Sequence, residues 1–274
     1  MPIAIFAFVI KQLGTITIEM FLFIIGIRWF AIRADRRRTE KLFLAGLVAS
    51  IATFISLRVA SFLSIFCRVK YDLYVYWLSA RLMDEPSFYI GRIAAHHLWL
   101  QVAIECGYGL PAAMMLGTFA VYLWLRSDVE ALRVVEVFIL NPLLALPIYL
   151  MFPVCGPAYA FSGFPYQTPS GITPHPMAID AAPNGIPSVH TSTALLVLWL
   201  LRHWWWGRVA GSLFLVLTVL ATLGLGEHYL LDLVLAAPYS ALVFWLAKPR
   251  DHTENDLLVR EQKLAASSDH ATLS

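Results

Sequence analysis

Seven apolar stretches, at 12–31, 42–65, 94–124, 134–153, 190–205, 209–226 and 229–247, carry few charges and approach the length needed to cross a bilayer. A hydrocarbon core of about 30 Å takes roughly 20 helical residues at about 1.5 Å each. Inside lipid a chain must satisfy its own backbone polar groups, so such stretches fold as helices. Composition agrees: 59% of residues are hydrophobic, 14% are charged, and mean hydropathy is +0.69. A soluble domain of 274 residues would need more charge than this to cover its exterior. The chain is therefore read as all-α, a polytopic membrane helix bundle of six to seven transmembrane spans. Lys11 and Glu19 shorten the clean apolar run of the first stretch, which leaves the choice between six and seven open. The same composition excludes disordered, collagen-like, disulfide-scaffolded and nucleic-acid-binding classes.

Orientation follows from Lys and Arg. Arg33, Arg36, Arg37, Arg38 and Lys41 lie between the first two stretches, Arg126 and Arg133 in the connector 125–133, Arg202 and Arg208 in 202–208, and Lys248 and Arg250 after the last. Seven crossings put all four segments on one side, taken as cytoplasmic. The loop 154–189 holds no Lys or Arg and falls outside; the loop 66–93 is outside too, yet carries Arg68, Lys70, Arg81 and Arg92. The N-terminus lacks a basic region and a cleavage site, so no removable signal peptide is expected. A net charge of +2 names no partner, and Cys67, Cys106 and Cys155 form no metal spacing. Cys67 and Cys155 sit in the two outer loops, where they could pair. The polar tail from 251 reads as a cytoplasmic extension.

The outer loop 154–189 ends in Pro187-Ser188-Val189-His190, followed by an apolar run. Pro and Ser are helix-start residues, so His190 sits in the first turn of a span at the outer interface. The chain crosses inward, turns at HWWWGR, and crosses back to Gly226-Glu227-His228-Tyr229-Leu230-Leu231-Asp232. Two crossings return His228 to the face that holds His190. Asp232 is four residues beyond His228, on the same side of a helix. A carboxylate there can hold one imidazole nitrogen and leave the other as a nucleophile or base. His190 can then protonate a leaving group. Ionisable side chains at the mouth of a membrane bundle are functional candidates.

The P-S-x-H and H-Y-x-x-D patterns resemble the second and third motifs of the type 2 phosphatidic acid phosphatase (PAP2) superfamily, over residues 145–245. The resemblance implies that His228 attacks a phosphate to form a phosphohistidine, that Asp232 orients it, and that His190 protonates the departing oxygen. It also implies a PAP2-like catalytic core at 134–248, after N-terminal spans and an outer basic loop at 1–133 and before a polar tail at 249–274. The phosphatases carry K-x6-R-P and S-R-x5-H-x3-D; aligned on Pro157 and His228, this chain has Tyr149, Gly156 and Thr222 where the cations stand, with Ala221 preceding. That departure, together with Phe152-Pro153-Val154-Cys155-Gly156-Pro157-Ala158-Tyr159, is similar to the branch containing inositol phosphorylceramide synthase. The implied activity is an integral-membrane lipid phosphotransfer of an inositol-phosphate type headgroup, with a phospholipid donor, a lipid or polyol acceptor, and no cofactor or metal.

A phosphate still needs positive charge or hydrogen-bond donors around it. Arg68, Lys70, Arg81, Arg92 and Arg58 are candidates, and Ser188, Thr191 and Tyr229 are candidate substrate contacts. The basic residues read equally as lipid-headgroup contacts, and Ser188 equally as a helix cap. His96-His97 at a span start is a weaker candidate, His175 an exposed loop residue, and Trp204-Trp205-Trp206 an interfacial anchor. Glu227, on another face than His228, would repel phosphate. Three alternatives stay open: a lipid phosphate or diphosphate phosphatase with the same triad, a metal-dependent hydrolase using two His and one carboxylate, and a non-catalytic lipid- or partner-binding protein.

Overall fold

A computed structural model describes residues 62–64 and 66–247. The stretch 12–31, most of 42–65, the basic segment 33–41, Arg58, Lys248, Arg250 and the tail from 251 lie outside the described residues. Within them the chain is mostly helical: α1 (Asp72–Met83), α2 (Ser87–His96), α3 (Leu98–Gly109), α4 (Pro111–Leu125), α5 (Asp128–Met151), α6 (Pro157–Ala160), α7 (Val189–Leu201), α8 (Trp205–Gly224) and α9 (Leu230–Leu246). One small antiparallel pair joins β1 (Val69–Lys70) to β2 (Met177–Ala178), with Val69 opposite Ala178 and Lys70 opposite Met177. The apolar pattern does not foretell this pair; it stitches the loops 66–93 and 154–189 together, aided by Tyr71 N–H donating to Pro153 O at 2.9 Å.

Two described helices, Val129–Met151 and Trp205–Gly224, are long and apolar enough to cross a membrane, and α3 with α4 makes a third if that bent pair is one span. Helices α7 and α9 are apolar but shorter, at 13 and 17 residues. The described residues thus give two to three candidate spans, and the predicted six to seven do not emerge from them. The stretch 94–124, expected as one span, is broken twice. His97 is extended, with φ −128° and ψ 100°, which separates α2 from α3. Pro111 then opens α4 at a 53° bend, because proline has no N–H to continue the ladder of α3.

Helix α5 starts at a reciprocal cap in which Ser127 Oγ accepts from Glu130 N–H at 3.3 Å and Glu130 Oε2 accepts from Ser127 N–H at 3.2 Å. It packs with α4, α7 and α9 around Val134, Val137, Ala145, Leu196, Val197 and Val243, all with no exposed surface. A polar knot sits inside this apolar wall. Asn141 donates from Nδ2 to Thr193 Oγ1 at 2.9 Å and accepts at Oδ1 from Ser192 Oγ at 2.6 Å, while Ser240 Oγ meets Ser192 Oγ at 3.1 Å. Interhelical hydrogen bonds in membranes average only about 0.6 kcal/mol, so the knot matters more for fixing the register of α5, α7 and α9 than for stability.

Helix α8 is the hinge of the motif-bearing half. At Gly211 an added Cβ would lie 2.9 Å from Leu198 Cα, so glycine lets α8 press onto α7. The other side of α8 packs on α2 and α3. In the α7–α8 turn, Trp204 lies edge-on to Tyr122 while Trp205 stays exposed.

Candidate active site

His190 and His228 come together, as the two-crossing argument requires. Their ring centroids are 6.1 Å apart and tilted by 59°. His190 lies in the first turn of α7 and stacks on Tyr108 of α3 at 4.2 Å and 21°. Ser188 caps that helix, its Oγ accepting from Thr191 N–H at 3.3 Å. Thus Ser188 has the capping role of its two sequence readings, whereas Thr191 Oγ1 is buried without a partner. The start of α7 is also tied to α9, since Ser188 N–H donates to Asp232 O at 3.3 Å.

His228 is fixed before α9 begins. Its backbone N–H and that of Glu227 both donate to Thr222 O, at 3.3 and 3.1 Å. Its Nδ1 lies 3.1 Å from Gly185 O and 3.4 Å from Asp232 Oδ2. A carbonyl only accepts, so this contact needs the proton on Nδ1, which in the neutral ring leaves the lone pair on Nε2. Among the described residues Nε2 has no partner, and it is buried. Asp232 does face the ring, although His228 precedes α9 and so does not share a turn of that helix as expected; Gly185 O is the nearer acceptor. Asp232 Oδ2 also accepts from Tyr229 N–H at 2.9 Å, at the positive end of α9, and its Oδ1 has no partner.

Two further carboxylates surround this helix start, and the sequence reading named neither. Asp72 Oδ1 accepts from Tyr229 Oη at 3.0 Å and from Gly156 N–H at 2.9 Å. Glu85 accepts from Leu230 N–H at 3.4 Å and from the Ser79 hydroxyl. Burial pushes the pKa of both carboxyls above the usual range, opposed by those donors. Tyr229, expected at the substrate, instead directs its hydroxyl to Asp72, and its side chain has no exposed surface.

Two of the outer-loop cations have their contacts away from the histidines. Arg68 is exposed beside β1, Arg81 lies over the Trp77 ring at 4.0 Å, and Arg92 is half-buried on α2. Lys70 is buried, donates to Cys67 O, and has its pKa lowered by desolvation. Cys67 and Cys155 do not pair; both are free, and Cys155 is buried with Sγ 3.4 Å from Asp72 Oδ1. Glu227 accepts from Tyr159 Oη at 3.0 and 3.1 Å. Among the described residues no group of three or more His, Cys, Asp or Glu side chains gathers as a metal ion would need.

The positions aligned with the phosphatases' cations have become structural. Tyr149 Oη donates to Pro187 O at 3.2 Å, Thr222 Oγ1 donates to Thr218 O at 2.9 Å, and Gly156 has φ +127°. At Gly156 a Cβ would lie 2.3 Å from Glu227 O, so no arginine fits there. Gly156→Ala is expected to lose at least about 1–3 kcal/mol from the backbone conformation alone, with the clash in addition. Thermal melting in detergent checks this against Gly109→Ala, where the added methyl meets open space. Equal melting temperatures for the two variants would contradict the packing described.

A helical membrane protein with two facing histidines and a carboxylate behind one of them is the class that fold and site define. The chain belongs to the PAP2 superfamily, whose family model matches residues 78–246. Members are typically phosphatases or phosphotransferases. No curated protein and no solved structure matches the chain.

Proposed function

We propose that this protein is an integral-membrane lipid phosphotransferase that moves a phosphoryl-headgroup of the inositol-phosphate type from a phospholipid to an acceptor hydroxyl through His228. The observation that carries this reading is the buried Nε2, unpartnered among the described residues, of a histidine whose Nδ1 meets Gly185 O and has Asp232 Oδ2 3.4 Å away. In the first step Nε2 attacks phosphorus, the N–P bond forms, and the bond from phosphorus to the lipid oxygen breaks as His190 gives that oxygen a proton. Asp232 stabilises the imidazolium that results. In the second step the acceptor hydroxyl loses its proton to His190 and attacks phosphorus, and the N–P bond breaks. Covalent catalysis thus splits one difficult transfer into two.

Substitution of the cations at Tyr149, Gly156 and Thr222 favours a phosphodiester donor over a phosphate monoester. A diester carries one negative charge where a monoester carries up to two, so it needs less compensation. Thr191 Oγ1, unpartnered among the described residues, is a candidate donor for this role. An apolar cleft of about 330 Å³ lined by Ile148, Phe152, Ile186, Pro187, Leu235 and Tyr239 adjoins the start of α7 and supports a lipid substrate. The distribution of Lys and Arg supports a site on the non-cytoplasmic face in this reading. Mass spectrometry of lipids after incubation with labelled phospholipids and candidate acceptors is the test. A new phospholipid carrying the donor headgroup is expected; release of water-soluble phosphate instead would make the protein a lipid phosphatase.

A further inference from the structure

We propose that Asp72, outside the span matched by the family model, is a positioning residue that sets the tautomer and direction of the His228 ring. The side chain has no exposed surface and lies 83, 84 and 157 positions from the groups it holds. It accepts from Gly156 N–H at 2.9 Å, Cys155 N–H at 3.2 Å and Tyr229 Oη at 3.0 Å, with Cys155 Sγ at 3.4 Å.

Two routes run from this carboxylate to the same imidazole. The first passes through Tyr229: its hydroxyl is on Asp72, its N–H on Asp232 Oδ2, and that oxygen faces His228 Nδ1 at 3.4 Å. The second passes through the loop. Asp72 fixes the amides of Cys155 and Gly156, the neighbouring Val154 O accepts from Gly185 N–H at 2.7 Å, and Gly185 O meets Nδ1 at 3.1 Å. Both oxygens that face Nδ1 are therefore placed by one residue. Gly156 also lies against the backbone of Gly226 and Glu227, so movement of this loop is felt in the turn that carries His228. A residue that merely closed a loop would need neither the tyrosine bond nor the connection through Val154.

In its kinetic arm this inference rests on the proposed role of His228, so the experiment includes a readout that does not. With ¹⁵N-histidine labelling of the full chain in detergent micelles, the His228 signals are assigned by their loss in His228→Asn. Wild type is expected to show the Nδ1–H tautomer. Asp72→Ala is expected to mix the tautomers and lower kcat by about ten- to a hundredfold, with KM within about threefold. Asp72→Asn, which keeps one acceptor oxygen, falls between, and Tyr229→Phe, which cuts one route, costs less than Asp72→Ala. If Asp72→Ala does not survive extraction, Asp72→Asn and Tyr229→Phe carry the test on the same signals. Unchanged His228 nitrogen shifts in the recovered variants would overturn the inference, as would full kcat in Asp72→Ala beside an inactive His228→Asn. Turnover retained by His228→Asn would instead remove the proposed function, while the tautomer still decides the role of Asp72.

Discussion

Replacing His228 with alanine or asparagine is expected to reduce phosphotransfer by at least about a thousandfold, because it removes the atom that bonds to phosphorus. The two variants differ in what they do to the fold. Alanine leaves Gly185 O without its donor, which costs about 1–3 kcal/mol for a buried polar group. The amide of asparagine can still donate toward that carbonyl, so His228→Asn is expected to melt closer to wild type while being equally inactive. A donor labelled at phosphorus is expected to leave acid-labile, alkali-stable label on the wild-type chain after quenching, and none on either variant. Label retained by His228→Asn, or turnover within about tenfold of wild type, would place the covalent step on another residue or abolish it.

How much of this site the sequence discloses depends on the range of the forces involved. The meeting of His190 and His228 is readable because two consecutive apolar runs must bring the chain back to its starting face, even though α7 is only 13 residues long. Asp232 is readable because it is near His228 in sequence, even though His228 lies before α9 and not on it. Gly185 O is not, since nothing in a Pro- and Gly-rich loop says which carbonyl will point at an imidazole. Asp72 and Glu85 are hidden for a similar reason: their partners lie far along the chain, and an acidic residue in an outer loop looks solvated until its donors are placed. Hydropathy also runs unbroken through Leu110-Pro111 and so hides the bend between α3 and α4, where the backbone and not the side chains sets the break. The outer-loop cations are less legible: composition offers Arg68, Lys70 and Arg81 as a phosphate grip, while the contacts of Lys70 with Cys67 O and of Arg81 with Trp77 follow only from the fold.

His190 is expected to reveal itself through the leaving group. A phospholipid expels an alkoxide, which needs a proton as the bond breaks; an aryl phosphodiester expels a phenolate that departs without one. His190→Phe keeps an aromatic ring to stack on Tyr108 but has no proton to give. It is expected to slow transfer from a phospholipid by about 10²–10⁴-fold, while an aryl donor of the same headgroup loses no more than about tenfold in the first step. The second step still needs a base to deprotonate the acceptor, so with the aryl donor the variant is expected to release one burst of phenolate and then stall. Label then accumulates on His228 to a higher level than in wild type, which clears it through the second step. Equal losses on both donors, with no burst, would mean that His190 shapes the site through its contact with Tyr108 and moves no proton. The burst separates the two histidines by what each does to phosphorus: one bonds to it, and the other manages the protons of the oxygens that leave and arrive.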